Sequence, residues 1–340
     1  MKLAAARVAA AMLLAEIERR PHAAADVCVT ELQQLWSGFG SVLLVNDALI
    51  VKEVRLPDRD LSYPELRDLG SHRVEAAFYE RHAARLLAEP IALRVPKPLL
   101  VRADEQQITI CMTRLDGEAV NGDLDRATAH AALETLAGLH AAYWGIGEAE
   151  IDGLHEHGSF WHLDARQAEF REMPHGGWEG RLRLAARALD LRLKADAMQT
   201  CVHGDPKDAN FFFAPSGAQL FDFQWIGRAP PSKDLAYLFT CCARVKAPAV
   251  EAALLAHYHA ALTEKLRAKG IEPPPLRAVR DSLQLAYADL ARWMSGWEGG
   301  WWAKPLLSAR TRLLLDELDG GTPLRDEQAY IDAVFARFPP

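Results

Sequence analysis

The chain has 340 residues, 50% hydrophobic and 25% charged, which is ordinary for a soluble globular protein with room for one large domain or two. A net charge of −7 leaves no basic excess to neutralise phosphates, which argues against a general nucleic-acid binder. The five scattered cysteines lack a CxxC pair and suit small core hydrophobes in a reducing cytoplasm better than a disulfide framework, and no stretch approaches the roughly 20 apolar residues of a membrane span.

From Lys2 to Ala15 the alanines and leucines imitate a signal peptide, but Arg7 interrupts the run and Glu16, Glu18, Arg19 and Arg20 follow it at once. An amphipathic helix of the folded domain, or a removable organellar leader, fits better than secretion. The location expected is therefore the cytoplasm, or an organelle if the leader is real. After Pro21, Val27–Leu35, Ser41–Val45 and Ala48–Val54 read as strands, the last two separated by the turn residues Asn46-Asp47. The loop Ser37-Gly38-Phe39-Gly40-Ser41 can bring backbone amides close to anionic oxygens. It lacks a full G-x-G-x-x-G, and a bare hairpin turn explains it equally well. The strand beyond it, Ile50-Val51-Lys52-Glu53-Val54, carries Lys52 in an otherwise largely apolar run. A lysine on a sheet can pair with α- and β-phosphates if a carboxylate holds it. The helix expected over about Arg73–Ala88 offers Glu75, with Glu80 as the competing partner. The alternative is a solvated strand lysine and a surface glutamate. Residues 97–103 and 107–114 complete five strands, joined by the polar turn Ala103–Gln106.

From Leu124 to Trp144 the spacing of Ala129, Leu133, Leu136, Ala137 and His140 predicts a helix, with Asp123 or Asp125 as N-cap. Gly145–Gly177 reads as loop. Its His155, His157, His162 and His175 show no zinc-like spacing, so a surface loop or the rim of a substrate pocket fits better.

The stretch His203-Gly-Asp-Pro-Lys-Asp-Ala-Asn210 is followed by two short strands around Pro215-Ser216-Gly217, then by Phe221-Asp-Phe-Gln224. A hairpin returns Asp222 to the side of Asn210. Magnesium takes hard oxygen ligands, often only one or two from protein plus phosphates and water, and Asn210 and Asp222 meet that need. Asp205 is then left to accept or orient a hydroxyl proton, with Lys207 to offset charge on a transferring phosphoryl group. Protein kinases distribute the same roles over H-R-D-x-x-x-x-N and D-F-G; here Gly204 stands for the arginine and Gln224 for the last glycine.

These motifs resemble the aminoglycoside phosphotransferase and choline kinase superfamily. Asp-Phe-Gln224 with the later Asp234-Leu-Ala-Tyr-Leu-Phe239 is most similar to its ecdysteroid-kinase-like (CHK kinase-like) branch. The resemblance implies an α+β, bilobal protein-kinase-like fold: an antiparallel-sheet N-lobe over residues 1–115 that binds nucleotide, and a larger, mainly helical C-lobe over 116–340. It implies ATP and Mg2+ as cofactors, Lys52 with Glu75 as the phosphate-setting pair, and backbone groups of Met112, Thr113 and Leu115 at the adenine edge. Gly38, Phe39, Gly40 and Ser41 would cover the phosphates. His140 becomes a packed residue of a helix behind the catalytic loop, and His203 a ring that fixes that loop to backbone. Gly227–Ser232 is a turn-rich connector where a protein kinase would carry a long activation segment, so the acceptor expected is a small-molecule hydroxyl. The rivals are a nucleotide-binding pseudokinase and a protein kinase.

Asp234 opens the next helix, as its cap or as a brace for the catalytic loop. Residues 247–268, 276–298, 303–318 and 325–337 read as helices, punctuated by glycine and proline. Trp293, Trp297, Trp301 and Trp302 lie beside Asp289 and Arg292, either as bundle core or as an aromatic wall of the acceptor pocket.

Overall fold

The structure, a computed structural model, describes residues 2–340 except 36–37, 89–92, 244, 246 and 298–304, with side chains from Ala4 onward. The chain is α+β and divides into two compact units: Met1–Glu89 with Arg94–Asp116, and Pro90–Leu93 with Gly117–Pro340.

The first unit is built on an antiparallel sheet. Helix α1 (Lys2–Glu18) precedes strands β1 (Val29–Gln34), β2 (Gly40–Val45) and β3 (Leu49–Arg55); helices α2 (Tyr63–Ala77) and α3 (Ala83–Ala88) precede β4 (Pro98–Ala103) and β5 (Gln107–Thr113). The sheet order is β1-β2-β3-β5-β4. Asn46 and Asp47 turn β2 into β3 with φ of 50° and 55°, a left-handed backbone that Asn and Asp tolerate. At the other turn the Asp104 carboxylate accepts from the amides of Gln106 and Gln107, at 2.8 and 2.7 Å.

Successive strand residues face opposite sides of a sheet. Val51, with Val29, Leu43, Val45 and Cys111, packs against Ala10, Ala11, Leu13 and Leu14 of α1. The first residues of the sequence thus form a helix with a face in the sheet's core. Leu14 is only 2% exposed, so Leu14→Ala should destabilise the protein by about 2–5 kcal/mol. A melting temperature unchanged in that variant would show that α1 adds nothing to the fold.

Helix α2 starts ten residues before the expected Arg73. The cause is a start signal before the periodic stretch: the Glu65 carboxylate reaches back to the Ser62 amide at 2.8 Å, with Pro64 in the first turn. Beyond Ala77 the helix passes through one π turn, Phe78–His82, into α3.

The second unit is mainly helical. Strand β6 (Glu118–Ala119) leads to α4 (Arg126–Ala142), capped by Asp125, whose carboxylate accepts from the Thr128 amide at 2.9 Å. Gly145–Gly177 is not loop throughout, since it holds the 3-10 turn Leu163–Arg166 and helix α5 (Gln167–Glu172). Helix α6 (Gly177–Lys194) has no counterpart among the expected elements. Strands β7 (Thr200–Val202), β8 (Phe211–Ala214), β9 (Gly217–Leu220) and β10 (Gly227–Ala229) follow, then α7 (Ser232–Cys241), α8 (Pro248–Ala268), α9 (Leu276–Gly296), α10 (Pro305–Asp319) and α11 (Glu327–Arg337). Strands β8 and β9 form the expected hairpin, and β10 pairs antiparallel with β7, so the connector after Asp222 is partly strand. Among the described residues there is no disulfide, and no helix is long and apolar enough to cross a membrane.

Candidate active site

The segment after β7 is held from beneath by α7. One Asp234 oxygen accepts from the His203 amide at 2.8 Å and the other from the Gly204 amide at 2.9 Å. Asp234 is 1% exposed, and the fully buried His140 ring bridges its carboxylate (3.1 Å) to the Tyr258 hydroxyl (2.8 Å). His140 is therefore a packed structural histidine, and Asp234 braces the loop. Gly204 has φ +84°, and a Cβ there would meet the Trp225 carbonyl oxygen at 2.3 Å and the Ser159 amide nitrogen at 2.8 Å. No arginine fits where protein kinases carry one. The His203 Nε2 donates to the Phe221 carbonyl at 2.9 Å, which leaves Nδ1 to accept the Asp205 amide at 3.3 Å. One imidazole thus ties the loop to the far end of the hairpin.

Asp205 emerges with two unlike oxygens. Its Oδ2 accepts from Lys207 Nζ at 2.8 Å and from Asn210 Nδ2 at 3.2 Å, and the same Asn210 nitrogen donates to the Asp205 carbonyl at 2.8 Å. Its Oδ1 is buried and has no hydrogen-bond partner among the described residues. Burial pushes the Asp205 carboxyl above its ordinary range; Lys207 pulls it back, and the charge of Asp222 adds to the rise. For Lys207, burial works against the charged form, but the Asp205 carboxylate outweighs it and holds the ammonium above its usual value.

The hairpin closes through the Phe221 amide, which donates to the Asn210 carbonyl at 3.2 Å. Asp222 follows with φ +66°, and its Oδ1 accepts from Gln224 Nε2 at 2.7 Å. Gln224, in place of the last kinase glycine, therefore orients the aspartate. Among the described residues no group of three or more His, Cys, Asp or Glu side chains could hold a metal. Asp222 and the amide oxygen of Asn210, which the bonds to Asp205 leave unused, are instead hard oxygen donors at the two ends of one hairpin. Magnesium completes such a set with phosphate oxygens and water, so the residues fit that ion.

In the first unit Lys52 and Glu75 meet at 2.5 Å, 5% and 1% exposed. Lys52 leaves the sheet on the side opposite Val51 and meets α2. Glu80 is exposed beside Arg81 and is not the partner. Gly38 (φ +70°) donates its amide to the Leu35 carbonyl at 2.9 Å, so this amide serves the hairpin turn. Phe39 is buried and Gly40 and Ser41 are already in β2. Met112 and Thr113 close β5, the Thr113 amide bonded to the Lys97 carbonyl at 3.0 Å, and Leu115 follows the strand. Ser37 lies outside the described residues.

From Asp205 outward the fold assembles a run of aromatic rings that joins the expected Trp293 and Trp297 to residues the sequence did not single out. Tyr237 sits one turn after Asp234 on α7, with its hydroxyl beside the Asp205 carboxylate; burial, and then that charge, hold the phenol well above its usual value. Phe160 stands edge-on to both Tyr237 (5.4 Å) and Trp293 (4.9 Å), with Trp225 at 6.1 Å. Trp297 stacks on Trp293 at 5.1 Å and is 37% exposed. Arg166 lies over Phe160 and Trp293 and pairs with Glu169 at 3.1 Å. The other Glu169 oxygen and Trp293 Nε1 are buried without partners among the described residues. Trp301 and Trp302 lie outside the described residues. His155 stacks on Trp225, and its Nε2 donates to the Gln224 carbonyl at 2.9 Å, so it supports the hairpin exit.

Solved structures share this fold, among them three at a TM-score of 0.52. The GDP complex of a variant aminoglycoside 2'-phosphotransferase-IIIa is 13% identical, with a TM-score of 0.52, covering 87% of this chain and 94% of that one. Choline kinase LicA from Streptococcus pneumoniae is 16% identical at the same TM-score of 0.52, with coverage of 89% and 97%. A microcompartment-associated aminopropanol kinase is 14% identical, again at 0.52, with coverage of 88% and 95%. No curated protein matches the sequence. Residues 31–270 match the phosphotransferase enzyme family, a span that takes in Lys52, Glu75 and the whole segment from His203 to Asp234, and the chain belongs to that family.

Proposed function

We propose that the protein transfers the γ-phosphoryl group of ATP to a hydroxyl of a small molecule. Asp205 is the base or orienting group, and Lys207 offsets charge on the moving phosphoryl. Asn210 and Asp222 would hold Mg2+, which when bound neutralises phosphate charge. Lys52, set by Glu75, would take the α- and β-phosphates; the segment Gly38–Ser41 would border them, and backbone at Met112, Thr113 and Leu115 would meet the adenine. The observation that carries this reading is the asymmetry of Asp205, with one carboxylate oxygen held by Lys207 and Asn210 and the other buried without a hydrogen-bond partner among the described residues. A buried carboxylate oxygen without a hydrogen bond is costly, and an acceptor hydroxyl is a donor that would occupy one of its lone-pair sites. Little covalent help is needed in such a transfer, so positioning and electrostatics suffice.

The solved structures with this fold include enzymes whose names specify an aminoglycoside, choline or aminopropanol as acceptor, and one holds GDP. That pattern supports a small hydroxyl compound and a nucleotide here. The acceptor would lie along the rings that run from Tyr237 through Phe160 to Trp293 and Trp297. Asp-Phe-Gln224 and Asp234-Leu-Ala-Tyr-Leu-Phe239 favour the ecdysteroid-kinase-like branch.

The test is magnesium- and ATP-dependent phosphoryl transfer across a panel of hydroxyl metabolites, with Asp222→Ala in parallel. Acceptor-dependent ADP release should appear for at least one class and fall by about two orders of magnitude or more in the variant. ATP that stabilises the wild type without any acceptor-dependent release would point to a nucleotide-binding scaffold instead.

A further inference from the structure

Asp234 and Tyr237 are three residues apart on α7 and so share one face of the helix. Asp234 spends its carboxylate on the amides of His203 and Gly204, immediately before Asp205. Anchoring that turn of α7 brings the next turn, with Tyr237, to Asp205 itself. Tyr237 is 4% exposed, and Phe160 holds its ring edge-on at 89°. The Phe160 amide is in turn bonded to the Gly204 carbonyl at 3.3 Å. Ring and loop are therefore fixed to each other from two sides, and the hydroxyl ends beside the carboxylate.

We propose that Tyr237 is a positioning residue for the transfer: its hydroxyl donates to Asp205 Oδ1 in the working complex and sets the carboxylate plane. This role rests on the phosphotransferase reading above. A carboxylate oxygen has two lone-pair sites, so a phenol on one leaves the other for the acceptor hydroxyl. Lys207 and Asn210 hold only Oδ2, the second through a long bond of 3.2 Å, so a donor on Oδ1 adds a second point of restraint to the carboxylate plane. The phenol keeps its proton in this setting, so it acts as a donor and not as a rival base. Such bonds are often loose without substrate and tighten in the complex.

Tyr237→Phe removes the donor and keeps the ring against Phe160. Its kcat should fall by about tenfold to a hundredfold, the size expected for losing one hydrogen bond to a charged group. The KM for nucleotide and for acceptor should stay near wild type. The double variant with Asp205→Asn should be no slower than Asp205→Asn alone, because Tyr237 acts through Asp205. In protein carrying 13C at tyrosine Cζ, the Tyr237 resonance, assigned by its loss in Tyr237→Phe, should move on Asp205→Asn. Wild-type kcat in the single variant, losses that multiply in the double variant, or a resonance indifferent to Asp205→Asn would each overturn the role. Wild-type protein with no turnover on any acceptor, but with that resonance still responsive, would overturn the phosphotransferase reading while the contact stands.

Discussion

Asp205→Asn should lower turnover by about three orders of magnitude or more while leaving nucleotide binding intact. The substitution keeps the size of the side chain and replaces one carboxylate oxygen with an amide nitrogen. Two things are then lost together. In the proposed transfer the group facing the acceptor could no longer take a proton, and Lys207 loses the charge it is paired with at 2.8 Å. The pairing of Lys52 with Glu75 is untouched, since both belong to the other compact unit. The loss should therefore fall on kcat, with the KM or Kd for nucleotide nearly unchanged. Steady-state rates with the best acceptor, together with calorimetric nucleotide titration, separate the two. Unchanged turnover would remove Asp205 from the mechanism, and lost nucleotide affinity would make it a structural residue of the loop.

What could be read from the sequence at this site is what lies close along the chain. Asp205, Lys207 and Asn210 share one loop, and the hairpin that returns Asp222 is announced by Pro215-Ser216-Gly217, so spacing alone brings them together. The pair of Lys52 with Glu75 spans 23 residues and needed more. Glu75 and Glu80 are both acidic residues near one helix, and only their faces decide between them. Ala76, Phe78 and Tyr79 are buried while Glu80 looks outward. The start of α2 escaped because Arg67, Asp68 and Gly70 dilute the hydrophobic period there. The Ser62–Glu65 box that fixes it is a local hydrogen-bond signal, not a periodic one.

The aromatic surface was legible only in part. Trp293 on α9 and Trp297 just past its end stand four apart and invite the idea of a wall, and the structure stacks them. Phe160 and Trp225, which continue that surface towards Asp205, come from a histidine-rich loop and from the hairpin exit. Neither carries a pattern that could tie it to α9. Tyr237 did have a signal, its place one helical turn after Asp234, but the meaning of that signal depends on what Asp234 holds. Helix α6 was missed because the loop-like composition before it hides its start at Gly177, a residue with φ +65°.

The second large effect expected is on stability, at Asp289. This side chain is fully buried on α9 and accepts from Lys233 Nζ at 2.9 Å and from Arg292 Nε at 2.7 Å. Arg292 also donates to the Trp161 carbonyl at 2.6 Å, and the Lys233 ammonium lies over the Trp161 ring at 4.4 Å. One carboxylate thus balances two cations that join α7, α9 and the loop carrying Phe160. Burial alone would raise the Asp289 carboxyl, but Arg292 and then Lys233 overcome it and hold it below its ordinary value. Asp289→Asn leaves two buried cations without a counter-charge and should cost about 3–5 kcal/mol, a fall in Tm on the order of 10 °C. The pH dependence has a definite sign. A carboxylate held below its unfolded pKa of about 4 adds stability above that pH, and this is lost as pH falls through the lower, folded value. Wild type should therefore lose stability on acidification below about pH 4, and the gap between wild type and Asp289→Asn should narrow there. Denaturation followed by circular dichroism at neutral and acidic pH tests both claims. Equal stability of the two proteins at neutral pH would mean that the cations find other partners, and that Asp289 does not hold α7 and α9 in register beneath the site.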